Sequence, residues 1–203
     1  MPRFGRAVCV LVTDPDAPTP PLGMPAAARL SPPPITTIPA DPSNYRHGGA
    51  NRPIDLIVIH CTDGHADALP VAQMWRTPHH GSSAHFVIGQ DGAIIQAVGL
   101  DDIAWHAHAA NGTSIGIEHC ARTPRELGPD DPGLAPSQVQ LDASARLVAW
   151  LCASRGIPCD RAHVMGHAEA DRATTHTLCP TGAGFDLNVM VAAARALMPV
   201  NVA

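Results

Sequence analysis

The segment "HTLCPTG", His176 to Gly182, sets one cysteine against a proline and a glycine late in a chain that has no C-x-x-C pair. A hydrolytic zinc site takes three protein ligands from among His, Cys, Asp and Glu and keeps a fourth position open for water. His60 and His167 close two apolar runs that read as strands, "IDLIVIH" and "AHVMGH", and Cys179 follows in the loop beyond the second. Strand ends are where ligands in an α/β sheet converge on a cleft. Spacing alone leaves several readings open, because twelve histidines and six cysteines allow many such triples. The histidines could be core or surface groups with an inert thiol beside them, or a zinc could be purely structural with four protein ligands. Cys179 or Cys61 could also be a nucleophile working with a histidine. Glu118, inside "IGIEHC", is a carboxylate between apolar neighbours, costly to bury without a role.

The elements that must position these residues are legible in part. "IDLIVIHCT" from Ile54 is apolar on both faces, as expected of a strand covered on both sides. In "AHFVIGQDGAIIQAV" two β-rich runs flank Gln90, Asp91 and Gly92, a hairpin in which Gly92 supplies the positive φ. "SIGIEHC", Ser114 to Cys120, reads as a further inner strand. "PSQVQLDASARLVAWLCASRGIP" is the clearest helix. Ser137 and Gln140 form a capping box, Val139, Ala143, Leu147 and Leu151 recur at helical spacing, and Gly156 followed by Pro158 ends it. "AHVMGH" is a short strand ending at His167, and "DLNVMVAAARALM" a last helix capped by Asp186. Together these predict an α/β fold, a mixed central sheet flanked by helices. Twelve of the 21 prolines fall in residues 1–53, so residues 1–42 read as an extended Pro-rich N-terminal lead-in and 43–203 as one domain starting near Ser43.

Composition narrows the function classes. A net charge of −5 argues against a general nucleic-acid binder, which needs a basic stripe. All 13 basic residues are arginine, so no mechanism can use a lysine amine. No run approaches the roughly 20 apolar residues of a membrane span. The apolar part of "RAVCVLVTDPDAP" is short and soon broken by Asp and Pro, so a cleaved export signal is not expected. Cys152 and Cys159 flank a helix end and could pair or stay reduced. "RELGPDDPG" reads as a solvated loop whose charges mean little.

"IDLIVIHCTDG", "SSAHFVIGQDGAIIQAV", "AWHAHAANGTSIGIEHC", "VMGHAEAD" and "TLCPTGAGFDL" resemble, in that order, the segments of zinc-dependent N-acetylmuramoyl-L-alanine amidases of type 2, the family that includes AmpD-type amidases and peptidoglycan recognition proteins. The resemblance runs from about Ser43 to the last helix. It implies the amidase/recognition-protein fold, a Zn2+ cofactor held by His60, His167 and Cys179, and a peptidoglycan or muropeptide substrate. Two neutral imidazoles and a thiolate would leave the ion at net +1. By the same resemblance Glu118 is the proton-transfer group, since the tyrosine of other branches is replaced by Ala84. Thr177 takes the place of an oxyanion-stabilising lysine and can donate one neutral hydrogen bond. Trp105 and His106 match a groove segment that touches the sugar or peptide, although a core Trp and a supporting His explain them as well. His85 is expected to be structural, and His79, His80, His108, His119, His163 and His176 surface or supporting groups. Some family members have lost the cysteine and only bind peptidoglycan, and Cys179 speaks against that here. The residues identify no inhibitor or immunity partner, and they leave recycling, specialised secretion and phage release equally open as settings.

Overall fold

Alternation along the inner strands decides which side of the sheet is sealed by helices and which carries polar groups. In this computed structural model, which describes residues 30–199, the chain runs through β1 (Thr36–Thr37), β2 (Tyr45–Arg46), β3 (Leu56–Cys61), α1 (Ala68–Trp75), β4 (Phe86–Ile88), β5 (Ile94–Gln96), β6 (Ile103–Ala104), β7 (Ser114–His119), α2 (Gln138–Arg155), β8 (Val164–Gly166), α3 (His167–Ala170) and α4 (Leu187–Leu197). Most of the Pro-rich lead-in, residues 1–29, and Cys9 with it, lies outside the described residues. Six strands form one sheet in the order β1-β5-β4-β7-β3-β8, all neighbours parallel except β4 and β5, while β2 and β6 make a separate antiparallel pair.

One face presents Ile57, Ile59, Phe86, Ile88, Ile115 and Ile117 to the apolar sides of α2 and α4, among them Leu147, Leu151, Met190 and Val191. Each such side chain contributes about 1.5–3 kcal/mol when removed from water. The other face carries Val58, His60, His85, Val87, Gly116 and Glu118, partly covered by α1 and by the 3-10 turn His108–Thr113. Arg52 clamps that turn: its Nη1 donates to the carbonyls of Asn111 (3.1 Å), Gly112 (3.3 Å) and Ser114 (3.1 Å), and its Nη2 to that of Leu100 (3.0 Å).

The predicted strands and the Gly92 hairpin form, with Gly92 at φ 80°. Asp186 caps α4 by accepting from the backbone N–H groups of Asn188 and Val189. Five expectations need correction or extension. The strand before His167 stops at Gly166, and His167 opens the one-turn helix α3. Ser137 does cap α2, but Gln140 does not reach back to it. The Gln140 amide is buried and donates to the carbonyls of Ile88 (2.8 Å) and Cys120 (3.4 Å), tying the helix to the strand ends. Gln140 thereby takes the inward position, which leaves Val139 exposed. Asp131 of the supposedly idle loop pairs with Arg122 through two contacts, at 2.8 and 2.9 Å, and accepts from Leu127 N–H and Gly133 N–H. Finally, β1 joins the sheet ahead of Ser43, pairing Thr36 and Thr37 with Ile95 and Gln96. No helix among the described residues is long and apolar enough to cross a membrane.

Candidate metal centre and cleft

Strand register alone brings the chemistry together. β3 and β7 run parallel with His60 opposite Glu118, and Ile59 sits opposite Gly166 of β8, so His167, the next residue, comes up beside His60. The loop bearing Cys179 then folds back over the end of β8. It can do so because residue 166 is glycine: a Cβ there would lie 2.8 Å from Pro180 Cδ and 3.4 Å from the Cys179 carbonyl oxygen. A hydrogen bond from Ala168 N–H to that carbonyl (3.3 Å) holds the approach.

His60, His167 and Cys179 are buried, and each offers a donor atom within 4.8 Å of the other two. The rings of His60 and His167 have centroids 4.5 Å apart. Burial, with His167 next in weight, holds His60 well below the usual histidine range, and burial with His176 beside it lowers His167. Both imidazoles are therefore neutral, the form that binds a cation. The Cys179 sulfur accepts from the backbone N–H of Cys61 (3.3 Å) and faces the Cys61 thiol (3.8 Å). The hydrogen bond to Cys179, then burial, push the Cys61 thiol up, so Cys61 stays a neutral donor toward its neighbour. Nε2 of His167 is buried with no hydrogen-bond partner, and Asp171 Oδ2 is 3.8 Å from it, too far for one. Asp171 is engaged by His108 Nδ1 at 2.5 Å.

Glu118 sits next to this triad. Its Oε1 is 4.0 Å from His60 Nδ1, and its Oε2 is buried and unpartnered. Burial, reinforced by the negative charge of Asp63, pushes the carboxyl up to about 8. Such a group keeps its proton at neutral pH until positive charge arrives nearby. Two imidazoles and a sulfur converging on one point, with an uncommitted carboxyl at its edge, fit a divalent cation of intermediate softness such as zinc.

The triad floors a cleft of about 380 Å³ walled by Trp75, Ser82, Ser83, Trp105, Asp63 and His176. Trp105 stands between this cleft and an adjoining hollow of about 490 Å³ lined by Tyr45, Arg46 and Asn111. Of the residues singled out from the sequence, His60, His167, Cys179, Glu118, Trp105 and His106 come together here. Thr177 is exposed and outside the cleft lining; its neighbour His176 is in it, stacked on His167 with centroids 5.6 Å apart. His85 is fully buried under the sheet, accepting from Gly116 N–H at 3.0 Å. His119 is also buried, its ring nitrogens against Ser144 Oγ and the His60 carbonyl. Sequence reasoning offers Cys61 only as an alternative nucleophile and His176 only as a surface or supporting group, whereas both line the cleft beside the triad. No spacing signal marks His176, whereas Cys61 follows a strand-end ligand directly, which places its N–H at the site.

Comparison with known proteins agrees with this arrangement. A family model described as N-acetylmuramoyl-L-alanine amidase matches residues 50–182. N-acetylmuramoyl-L-alanine amidase A of Achromobacter lyticus is 35% identical over 123 residues, which are 60% of this chain and 63% of that protein, so the chain spans a little under two thirds of this relative's length. An endolysin from Bacillus subtilis superposes with a TM-score of 0.60 at 25% identity, covering 79% of this chain and 97% of its own. AmpD superposes with a TM-score of 0.59 at 24% identity, covering 81% and 94%. Because the family match takes in the segments that carry His60, Glu118, His167 and Cys179, the chain belongs to the type 2 N-acetylmuramoyl-L-alanine amidase family.

Proposed function

We propose that the protein is a zinc-dependent hydrolase that cleaves the amide between the lactyl group of N-acetylmuramic acid and L-alanine in peptidoglycan or muropeptides. The observation that carries this reading is the buried His60, His167 and Cys179 triad with the free Glu118 carboxyl at its rim. Membership of a metal-dependent family and the amidase name of the A. lyticus relative support it. We assign the catalytic unit to residues 43–203, with the Pro-rich extension 1–42 ahead of it lending β1 to the edge of its sheet.

In this reading His60, His167 and Cys179 hold Zn2+, which supplies Lewis acidity toward water and an amide carbonyl. Glu118 accepts a proton from the attacking water through its unpartnered Oε2 as the new C–O bond forms, and then delivers that proton to the departing alanine nitrogen as the C–N bond breaks. The water is thus divided between the two products, a muramyl carboxylic acid and a free stem peptide. The Thr177 hydroxyl is assigned to the developing oxyanion on the family resemblance of its segment, although the exposed side chain lies outside the cleft lining. Trp105 offers an apolar wall for a sugar or peptide, and His106 makes the floor beside it.

Chelator treatment should abolish muramyl-alanine cleavage and zinc should restore it, with products identified by mass spectrometry. Activity that survives a chelator but is lost to a thiol alkylator would replace this reading with a cysteine nucleophile. Zinc and peptidoglycan binding without cleavage would replace it with a binding module. Polymeric sacculi assayed against soluble anhydromuropeptides would then assign the natural substrate.

A further inference from the structure

We propose that His106 is a positioning residue: with Ser114 it forms a one-way hydrogen-bond relay that fixes His60 as the tautomer protonated on Nε2, leaving a bare Nδ1 toward the cleft. The direction of each bond follows from the one before. The Ser114 hydroxyl lies 2.6 Å from the Ala110 carbonyl oxygen, which can only accept, so the hydroxyl proton is spent there. Toward His106 Nε2, at 3.3 Å, Ser114 Oγ therefore presents a lone pair, and Nε2 must be the ring's donor. A neutral imidazole has one N–H, so His106 Nδ1 is bare and accepts from His60 Nε2 at 3.0 Å. The proton of His60 is then also placed, and its Nδ1 is left free 4.0 Å from Glu118.

The surroundings hold the relay in place. Asn111 Oδ1 accepts from the backbone N–H groups of His106 (3.0 Å) and Ala107 (2.6 Å), which fixes where the ring begins. The ring lies against β7 at Gly116, where a Cβ would come within 2.5 Å of His106 Cγ. The rings of His60 and His106 meet edge to face with centroids 5.0 Å apart. Both nitrogens of His106 are thus used inside the protein, and it is Trp105 that is left to meet substrate. A histidine that holds a metal commonly donates its other N–H to an acceptor that orients it. Here that acceptor is a second histidine, itself oriented by a serine hydroxyl.

The inference rests on the zinc reading for its consequence and is independent of it for its geometry, so two measurements separate them. In the metal-free wild type at neutral pH, long-range 1H–15N spectra should show both His60 and His106 protonated on Nε2. His106→Phe, which keeps the ring but removes the acceptor, should turn His60 into a mixture of tautomers. It should also weaken zinc binding about 10- to 100-fold in chelator competition, while the metal-free melting temperature reports that the fold persists. His106→Asn, which restores an acceptor near the Nδ1 position, should recover most of the affinity. Should His106→Phe fail to fold, Ser114→Ala is the gentler probe: it frees the His106 ring and should mix the tautomers of both rings. An Nδ1-protonated His60 in the wild type would overturn the proposal. So would a folded His106→Phe with zinc affinity within about twofold of wild type, or an Asn variant no better than Phe. A wild type that binds no zinc yet keeps the Nε2–H pattern would sink the zinc reading and leave the relay standing.

Discussion

At the scale of single residues, the site separates holding from proton transfer. Glu118 touches none of the donor atoms closely enough to hydrogen bond, so Glu118→Gln should leave zinc affinity within a few fold and lower kcat by about 10²- to 10⁴-fold. Titrating zinc and measuring turnover on the same preparation checks this. Cys179→Ser should do the reverse, removing the only sulfur of the triad and most of the metal affinity, visible in chelator competition before any activity is assayed. The principal residues were legible because each is tied to a pattern: His60 and His167 to the ends of apolar runs, Glu118 to an apolar strand it does not belong in, Cys179 to a loop that follows. The resemblance of ordered segments then selected them from among many possible triples. The relay through Ser114 was not legible, since a hydrogen bond's direction depends on where one hydroxyl proton goes. Nor was the position of Thr177, because the loop from 171 to 180 has no periodicity to read and its path is set by what Gly166 lets approach.

At the scale of elements, parallel pairing aligns β8, β3 and β7 so that their C-terminal ends deliver consecutive parts of one site. The inner strands, the hairpin and both long helices were readable from two periodicities and their caps. What escaped was decided by tertiary competition. Gln140 has the residue type for a capping box, yet its Nε2 donates to two strand-end carbonyls, and the Ser137 N–H already has an acceptor in Gln90 Oε1 at 2.9 Å. The junction of β8 with the Cys179 loop is the element contact most sensitive to volume. Gly166→Ala would set a methyl against Pro180 and Leu187, at 2.8 and 3.2 Å, and should cost about 1–3 kcal/mol of stability. It should also displace Cys179, so zinc affinity should fall along with the denaturant midpoint. A variant destabilised without loss of zinc would show that loop and strand are not coupled.

At the scale of the whole molecule, the interior is unusual in burying several neutral histidines. His85 is held down to about 3, by burial first and the Arg52 charge second, and His119 to about 4, by burial. The unfolded chain takes up protons at these sites near pH 6.5, whereas the folded chain does not until pH falls to about 4 and then 3. Their contribution to stability is therefore complete above pH 6.5 and is lost progressively as the pH falls through that window. Urea midpoints at pH 7, 5.5 and 4.5 should decline accordingly. His85→Asn, which keeps an acceptor for the Gly116 N–H but cannot titrate, should show a shallower decline than the wild type.

The sheet edge raises a practical matter of boundaries. β1 closes the outer side of β5 with residues 36 and 37, and α4 seals the main core with Leu187, Met190, Val191 and Ala194, yet both lie beyond the span 50–182 that family likeness delimits. A fragment cut to that span would bare a row of unpaired strand amides at one side and a greasy trough at the other, the two features that invite self-association. It should precipitate or melt without cooperativity, whereas a piece covering 30–199 should give a single sharp transition. The span that the family model matches is thus narrower than what the polypeptide requires to stand by itself.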